Sequence, residues 1–313
     1  MSDDTLVFLG TAPFALPSLR MLLDRGFDLA GIITRPDRPA GRGKKITFPP
    51  VKETALEYNL DIFQPRSKAE LLGIIKELRP KIMVSVAYGM ILPAEALMVP
   101  QLGAINVHPS LLPAYRGAAP IQRALLAGEK STGVSIFFMS PGMDDGDIIL
   151  QEKIGIGSGE TFGVLYDRLA VLGAEKLYEA LELVMEGKAA RLAQDDDLAT
   201  FAPPLSREDE RIVWSKGAPE IANQIRALDP YPGAYTIFRG KRLKIWKVDP
   251  EKREGSGSPA APGTICRVEK DYFTVATTGG SLRVLELQPE GKKRMAVEDF
   301  LKGNRLEAGE NFE

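Results

Sequence analysis

The stretch "GAINVHPSLLPAYRGAAPIQRALLAG" (103–128) places a strand pattern, a proline-rich turn and a helix pattern in succession. Residues 103–108 are apolar apart from Asn106 and His108, as in a largely buried strand. Residues 119–128 have helical spacing and end in a glycine. Strand and helix patterns alternate in this way through the first two hundred residues. The alternation predicts an α/β domain, with a Rossmann-like and mostly parallel sheet covered by helices.

The same reading assigns the other elements of this domain. Short apolar runs bounded by turn residues predict strands at 5–10, 29–34, 81–89, 103–108, 133–139 and 147–154. Amphipathic spacing predicts helices at 16–26, 51–59, 68–78, 119–128 and 161–187. Sites on such sheets lie outside the carboxyl ends of the strands, so that edge is where functional residues are expected.

The character of the chain changes near residue 190, where a polar and proline-interrupted stretch begins. A helix pattern at 218–228 and several short strand patterns follow, which favour a small β-barrel. A chain of 313 residues also exceeds the usual size of a single core. The predicted organisation is an α/β domain at 1–189, a linker at 190–207 and a barrel domain at 208–313.

Composition limits the classes of protein. A formal net charge of −2 gives no global attraction to nucleic acid, so any such attraction must be local. The single cysteine, Cys266, excludes an internal disulfide, and no apolar run has the length of a membrane span. The start "MSDDTLVFLG" is acidic and enters a strand pattern at once, unlike a signal or transit peptide. A cytoplasmic protein is expected.

Asn106 and His108 lie two residues apart at the end of a predicted strand, so their side chains project from the same face. Pro109 ends the strand pattern directly after them. His108 is the only histidine in the chain. An isolated pair of this kind is often a buried polar pair that satisfies local backbone groups, and a reactive pair is the alternative.

A cluster of acids supports the second alternative. The turn "MDDGD" (143–147) follows another predicted strand and contains Asp144, Asp145 and Asp147. Asp and Gly favour solvated turns, whereas Asp144, directly after the apolar Met143, could face inward. The pattern alone does not decide among the three carboxylates.

The available groups point to direct acyl transfer. The chain has no G-x-S-x-G nucleophile motif, and one histidine without a cysteine cluster argues against zinc. An amide donor and an imidazole can stabilise a tetrahedral oxyanion, and the imidazole can carry a proton. A carboxylate can orient the imidazole or relay protons through water. The turn "FLGTAPFA" (8–15) lacks G-x-G-x-x-G, which argues against a bound dinucleotide.

The segment "NVHPSLLPAYRGAAPIQRAL" (106–125), together with "MDDGD", resembles the folate-dependent formyltransferases. The resemblance implies 10-formyltetrahydrofolate as formyl donor and no metal. The catalytic residues that it implies are Asn106, His108 and Asp144. The segment that matches the family's folate site is Ser110, Leu111, Leu112 and Pro113.

A basic stretch indicates the acceptor. Between Thr34 and Pro50 the chain has five basic residues and one acid, and its glycines and prolines argue against helix or strand. A solvated surface loop is one interpretation. The stretch also resembles an inserted loop in the family members that act on a charged initiator tRNA. In that resemblance Arg42 is the functional arginine, and phosphate contacts come from Lys44 and Lys45.

The last hundred residues agree with this branch of the family. "DPYPGAYT" (229–236) and "LELQPEGKKRMAVEDFLKG" (285–303) resemble its C-terminal domain, which implies an OB-like barrel. Basic runs at 239–247 and 291–294 suit a surface that holds tRNA.

The expected function is therefore formyl transfer from 10-formyltetrahydrofolate to the amino group of methionyl-tRNA, by a monomer. One rival is the same chemistry on a small amine such as an amino sugar nucleotide, which needs neither the basic loop nor the barrel. The other rival is a non-catalytic RNA-binding protein on a decayed enzyme fold, against which the intact trio argues.

Overall fold

The computed structural model describes residues 5–40, 45–252 and 260–313. Contacts divide the chain into two compact units. The first unit contains the residues up to Pro120, Ser131–Gly155 and Tyr166–Ala202. The second contains Ile121–Lys130, Ile156–Leu165 and Pro203–Glu313. The domain and linker boundaries at 189 and 207 stay a prediction.

The first unit is built on a seven-stranded sheet with the order β5-β2-β1-β6-β7-β8-β9. The first five strands in this order pair in parallel, β8 is antiparallel to β7, and β9 is antiparallel to β8. The predicted, mostly parallel α/β architecture is confirmed. The strands of this unit are β1 (Leu6–Gly10), β2 (Leu29–Ile33), β3 (Arg38–Ala40), β4 (Lys45–Thr47), β5 (Ile62–Phe63), β6 (Ile82–Val86), β7 (Ala104–His108), β8 (Ser131–Phe138) and β9 (Ile148–Gly155).

Within the described residues, six helices overlap the ranges that amphipathic spacing predicts, and the short helices at Ala94–Leu97, Arg207–Glu210 and Val297–Leu301 were not predicted. Helix α3 coincides with its predicted range because the Ser67 hydroxyl caps it, accepting a hydrogen bond from the Glu70 N–H at 3.1 Å. Across the described ranges, every helix falls short of the length and apolar character needed to cross a membrane. The helices are α1 (Leu16–Asp24), α2 (Pro50–Glu57), α3 (Lys68–Leu78), α4 (Ala94–Leu97), α5 (Pro120–Ala127), α6 (Phe162–Met185), α7 (Arg207–Glu210), α8 (Ala218–Ala227) and α9 (Val297–Leu301). Short 3₁₀ turns lie at Pro13–Ala15 and Asp196–Leu198.

The prediction that the basic stretch contains no strand is wrong. Strands β3 and β4 pair antiparallel, with Arg38 opposite Thr47 and Pro39 opposite Ile46. A two-stranded ribbon leaves one edge of each strand unpaired, so it tolerates a proline that a central strand would not. The β-branched Ile46 and Thr47 favour the extended backbone that completes the pair.

The second unit contains an antiparallel sheet with the order β10-β11-β14-β13-β12, in which β15 also pairs with β14. Its core includes the rings of Trp214 and Phe312, which stack with centroids 5.5 Å apart. This small barrel-like sheet agrees with the predicted OB-like domain. Its strands are β10 (Tyr235–Phe238), β11 (Lys241–Lys252), β12 (Ile265–Val268), β13 (Phe273–Thr277), β14 (Gly280–Pro289) and β15 (Met295–Ala296).

Candidate active site

Strand β7 carries two of the predicted catalytic residues at its carboxyl end. It lies between β6 and β8, where Asn106 pairs with Ser85 on one side and His108 pairs with Ser135 on the other. His108 is buried and Asn106 is half-buried. Among the residues that the structure describes, none forms a hydrogen bond with the Asn106 side-chain amide. That amide can therefore donate to a substrate without first breaking an internal bond.

A single backbone carbonyl sets the proton arrangement of His108. The Nε2 atom lies 2.9 Å from the carbonyl oxygen of Tyr115. Because a carbonyl only accepts, Nε2 must carry a hydrogen and donate it. The second proton of the imidazole is then gained or lost at Nδ1, which makes Nδ1 the atom for proton exchange.

Asp144 is the carboxylate that approaches this nitrogen. Its Oδ2 atom lies 3.6 Å from His108 Nδ1 and accepts a hydrogen bond from the Gly117 N–H at 2.8 Å. Asp145 accepts from the Ser140 hydroxyl, and Asp147 lies 3.6 Å from Arg191. The structure thus brings His108 together with one of the three candidate acids.

The predicted folate segment is held rigidly by its neighbours. Ser110 is buried, and its hydroxyl donates to the Ala114 carbonyl at 2.6 Å. The Ser135 hydroxyl donates to the Ser110 carbonyl at 2.6 Å and accepts from the Leu112 N–H at 3.0 Å. Gln151 donates to the Leu112 carbonyl at 2.8 Å. Since the side chains of Ser110 and Leu112 are both buried, this segment can meet a ligand only through its half-buried members, Leu111 and Pro113, and through its backbone.

Most of the predicted tRNA-binding residues fall outside the part of the chain that the structure describes. Arg42 and Lys44 lie outside the described residues, and only the backbone of Lys45, in β4, is described. Described residues of the basic stretch line a pocket of about 420 Å³ at the carboxyl ends of β1, β2 and β6. Arg35, Arg38, Phe48 and Tyr88 are among its lining residues. Burial raises the pKa of Tyr88 to about 12, so its phenol stays neutral at physiological pH.

Several residues that shape the site have no recognisable signal in the sequence. Tyr115 and Gly117 act through a backbone carbonyl and a backbone N–H, which leave no side-chain pattern to detect. Ser135 and Gln151 lie on the neighbouring strands β8 and β9, within sequences that match no motif. Within the described ranges, no group of three or more His, Cys, Asp or Glu side chains lies where it could hold a metal ion.

Comparison with known families covers nearly the whole chain. The family described as Formyl transferase matches residues 5–181, and the Formyl transferase, C-terminal domain, matches residues 204–305. The chain therefore belongs to the formyl transferase family.

Its relatives narrow this family to one branch. A methionyl-tRNA formyltransferase of Carboxydothermus hydrogenoformans is 48% identical over 310 residues, covering 98% of this chain and 99% of that protein. The methionyl-tRNA formyltransferase of Pelotomaculum thermopropionicum is 45% identical over 306 residues, covering 97% of each. Within the family, the chain belongs with the methionyl-tRNA formyltransferases.

A solved structure supports the same fold. The N-formyltransferase of Helicobacter canadensis, in complex with folinic acid and dTDP-3-aminofucose, aligns with a TM-score of 0.68. It is 19% identical, and the alignment covers 91% of this chain and 99% of that one.

Proposed function

We propose that this chain transfers the formyl group of 10-formyltetrahydrofolate to the amino group of methionyl-initiator tRNA. The product is the N-formylmethionyl-tRNA that starts translation. One observation carries the proposal: the His108–Asp144 pair lies at the end of β7, beside Asn106, in a chain related over 98% of its length to a methionyl-tRNA formyltransferase. A carboxylate that faces the exchangeable imidazole nitrogen is suited to moving a proton during acyl transfer.

The reaction is a direct displacement at the formyl carbon. The unprotonated amine of the methionyl group attacks that carbon, and a new C–N bond forms as the carbonyl oxygen becomes an oxyanion. The Asn106 amide and the protonated Nδ1 of His108 donate to this oxyanion. The bond from carbon to N10 of the folate then breaks. Asp144 and His108 pass the proton lost by the amine to N10, so that tetrahydrofolate leaves neutral at that nitrogen.

The two substrates are assigned to separate parts of the carboxyl edge of the sheet. The folate contacts Ser110, Leu111, Leu112 and Pro113, with Ser135 and Gln151 fixing the backbone of that segment. The acceptor end of the tRNA enters the pocket between Arg35 and Phe48. The apolar part of the lining of this pocket suits the thioether side chain of the methionyl group. Arg42, Lys44 and Lys45 contact the tRNA backbone. The enzyme works in the cytoplasm as a monomer. Sedimentation at several protein concentrations would check the monomeric state.

The acceptor is tested by offering labelled 10-formyltetrahydrofolate with charged initiator tRNA, charged elongator methionyl-tRNA and a dTDP-linked amino sugar. The proposal predicts rapid label transfer to the initiator tRNA and a much smaller rate for the sugar. Comparable transfer to the sugar would favour the small-amine rival. Tight tRNA binding without transfer to any acceptor would favour the non-catalytic rival.

Arg42→Ala is expected to lower kcat/KM for methionyl-tRNA about tenfold or more, because a charged hydrogen bond to phosphate contributes about 1.5–3 kcal/mol. Affinity for folate should stay unchanged. Arg42→Lys should recover only part of the loss, because lysine keeps the charge without the planar fork. Steady-state kinetics at two salt concentrations checks this, with Lys44→Ala as the comparison that mainly reduces the salt dependence. An Arg42→Ala enzyme with normal kinetics would favour the interpretation of this stretch as a solvated surface segment without a role in tRNA binding.

Gly117→Ala is expected to lower kcat about tenfold or more, since small displacements of reacting groups are costly. Gly117 has a φ of +120°, and a Cβ atom there would lie 2.9 Å from the Ala202 carbonyl oxygen. Relief of that contact moves the N–H that holds Asp144. Gly26→Ala is the matched control, because Gly26 also has a positive φ (+73°) but has no atom within 4 Å of the added Cβ. Equal kcat values for the two variants would refute this role of Gly117.

A further inference from the structure

Residues 192–202, hereafter the clasp segment, lie within the stretch that the sequence predicts to be a linker. At one end, Leu192 exchanges two backbone hydrogen bonds with Ile148, of 2.8 and 3.0 Å. At the other end, the Ala202 N–H donates to the Arg116 carbonyl at 2.7 Å. The segment is therefore bound to the start of β9, directly after the turn that contains Asp144, and to the loop that contains Tyr115; Asp144 and Tyr115 both face His108.

Gln194, inside the clasp segment, joins these two loops through one side chain. Its Nε2 atom donates to the carbonyl oxygens of Asp144 and Gly146, both at 2.8 Å. Its Oε1 atom accepts from two nitrogens of the buried Arg116, at 3.0 and 2.8 Å. Both donors and both acceptor positions of the amide are used. Asn and Asp are too short to bridge Arg116 and the carbonyls of Asp144 and Gly146. Glu has the length but lacks the N–H donors that these carbonyls accept from.

The backbone that Gln194 holds is unusual. Asp144 has a φ of +52°, in the left-handed region that non-glycine residues rarely occupy. Such a conformation persists only where the surroundings determine it. The two carbonyls anchored by Gln194 flank this turn, and the carboxylate that projects from it lies 3.6 Å from His108 Nδ1.

The same segment also holds the other partner of His108. The Thr200 hydroxyl accepts from the Tyr115 N–H at 2.8 Å, and the Arg116 N–H donates to the Thr200 carbonyl at 2.8 Å. The Tyr115 carbonyl is the group that accepts from His108 Nε2. One segment thus fixes both sides of the imidazole, with Gln194 on the Asp144 side and Thr200 on the Tyr115 side.

We propose that Gln194 is a positioning residue that holds the Asp144 carboxylate against His108 Nδ1 by anchoring the carbonyls of Asp144 and Gly146. The inference rests on the proposed function, because it assigns the held geometry to proton transfer during formylation. A purely structural alternative is that Gln194 serves only to satisfy the buried guanidinium of Arg116.

Two substitutions separate these roles. Gln194→Glu keeps the volume and the acceptor toward Arg116 but removes both donors to the loop carbonyls. We expect it to lower kcat about tenfold, with the KM values for folate and tRNA changed less than about twofold, since displaced reacting groups act on the chemical step. Asp196→Asn is the matched control, because Asp196 is the exposed second partner of Arg116 in the same segment. It should leave kcat unchanged.

The single histidine supplies a direct readout of position. In protein prepared without a histidine tag, the imidazole Cε1–H signal in a ¹H–¹³C spectrum belongs to His108 alone. Gln194→Glu should move this signal toward its position in Asp144→Asn, whereas Asp196→Asn should not. In the Asp144→Asn background, Gln194→Glu should cause no further loss of kcat, as expected for residues acting through one another.

The outcomes distinguish the two proposals. Absence of formyl transfer to methionyl-tRNA by the wild-type enzyme would overturn the proposed function itself. Transfer by the wild-type enzyme, together with a Gln194→Glu variant that keeps both its kcat and its His108 signal, would overturn only the role of Gln194. If Gln194→Glu lowers kcat by the same factor in the wild-type and Asp144→Asn backgrounds, the role of Gln194 is structural alone.

Discussion

Replacing His108 with alanine is expected to lower kcat for formyl transfer by about a hundredfold to a thousandfold, the usual loss on removing an oxyanion donor. The imidazole faces Asp144 and can also donate to the oxyanion. Its loss removes proton exchange at Nδ1 together with that donor. Steady-state and quenched kinetics with saturating folate and tRNA measure the effect.

His108 is also buried, so stability must be measured beside activity. The substitution removes the hydrogen bond that Nε2 donates to the Tyr115 carbonyl, a loss of about 0.5–1.5 kcal/mol in stability. Thermal unfolding and folate binding show whether the site is still formed. A folded His108→Ala protein with nearly wild-type turnover would contradict the mechanism.

Asp144→Asn is expected to have the next largest effect, a loss in kcat of about a hundredfold, at the lower end for a group in acid–base catalysis. Asparagine tolerates the left-handed backbone, and its side-chain oxygen can still accept from the Gly117 N–H. The substitution therefore removes the charge and the proton acceptor while it preserves the turn. The loss should appear in kcat, with little change in KM.

The neighbouring acids provide the controls for Asp144. Asp145→Asn and Asp147→Asn change the same turn, but their partners are Ser140 and Arg191. Both variants should keep kcat within about twofold of the wild type, as for substitutions away from the reacting groups. A loss of kcat in Asp147→Asn as large as that in Asp144→Asn would show that the assignment of the proton relay to Asp144 is wrong.

The sequence predicted the helices and strands whose signals lie within a short stretch of the chain. Strand β7 and helix α3 match their predicted ranges within one residue, because an apolar run and a capped amphipathic pattern are both local signals. The pairing of Asn106 with His108 followed from strand periodicity alone. The family resemblance then supplied Asp144, which residue patterns could not separate from Asp145 and Asp147.

The remaining features depend on contacts that no single short segment predicts. The β3–β4 ribbon forms because two short extended segments pair, and neither segment by itself predicts a strand. Gln194 lies 50 positions from Asp144 in the chain, in a polar stretch without a motif. Its importance is visible only once the fold brings it to the two carbonyls. The backbone groups of Tyr115 and Gly117 carry no side-chain signal at all.

The central claim is that His108 and Asp144 carry the proton transfer of formyl transfer to methionyl-tRNA. The most direct measurement is a single-turnover experiment, in which excess enzyme and labelled 10-formyltetrahydrofolate are mixed rapidly with methionyl-initiator tRNA and quenched. The account predicts that His108→Ala and Asp144→Asn each slow the transfer about a hundredfold or more, while both variants bind folate and tRNA as the wild type does. Transfer at the wild-type rate in either folded variant would contradict it.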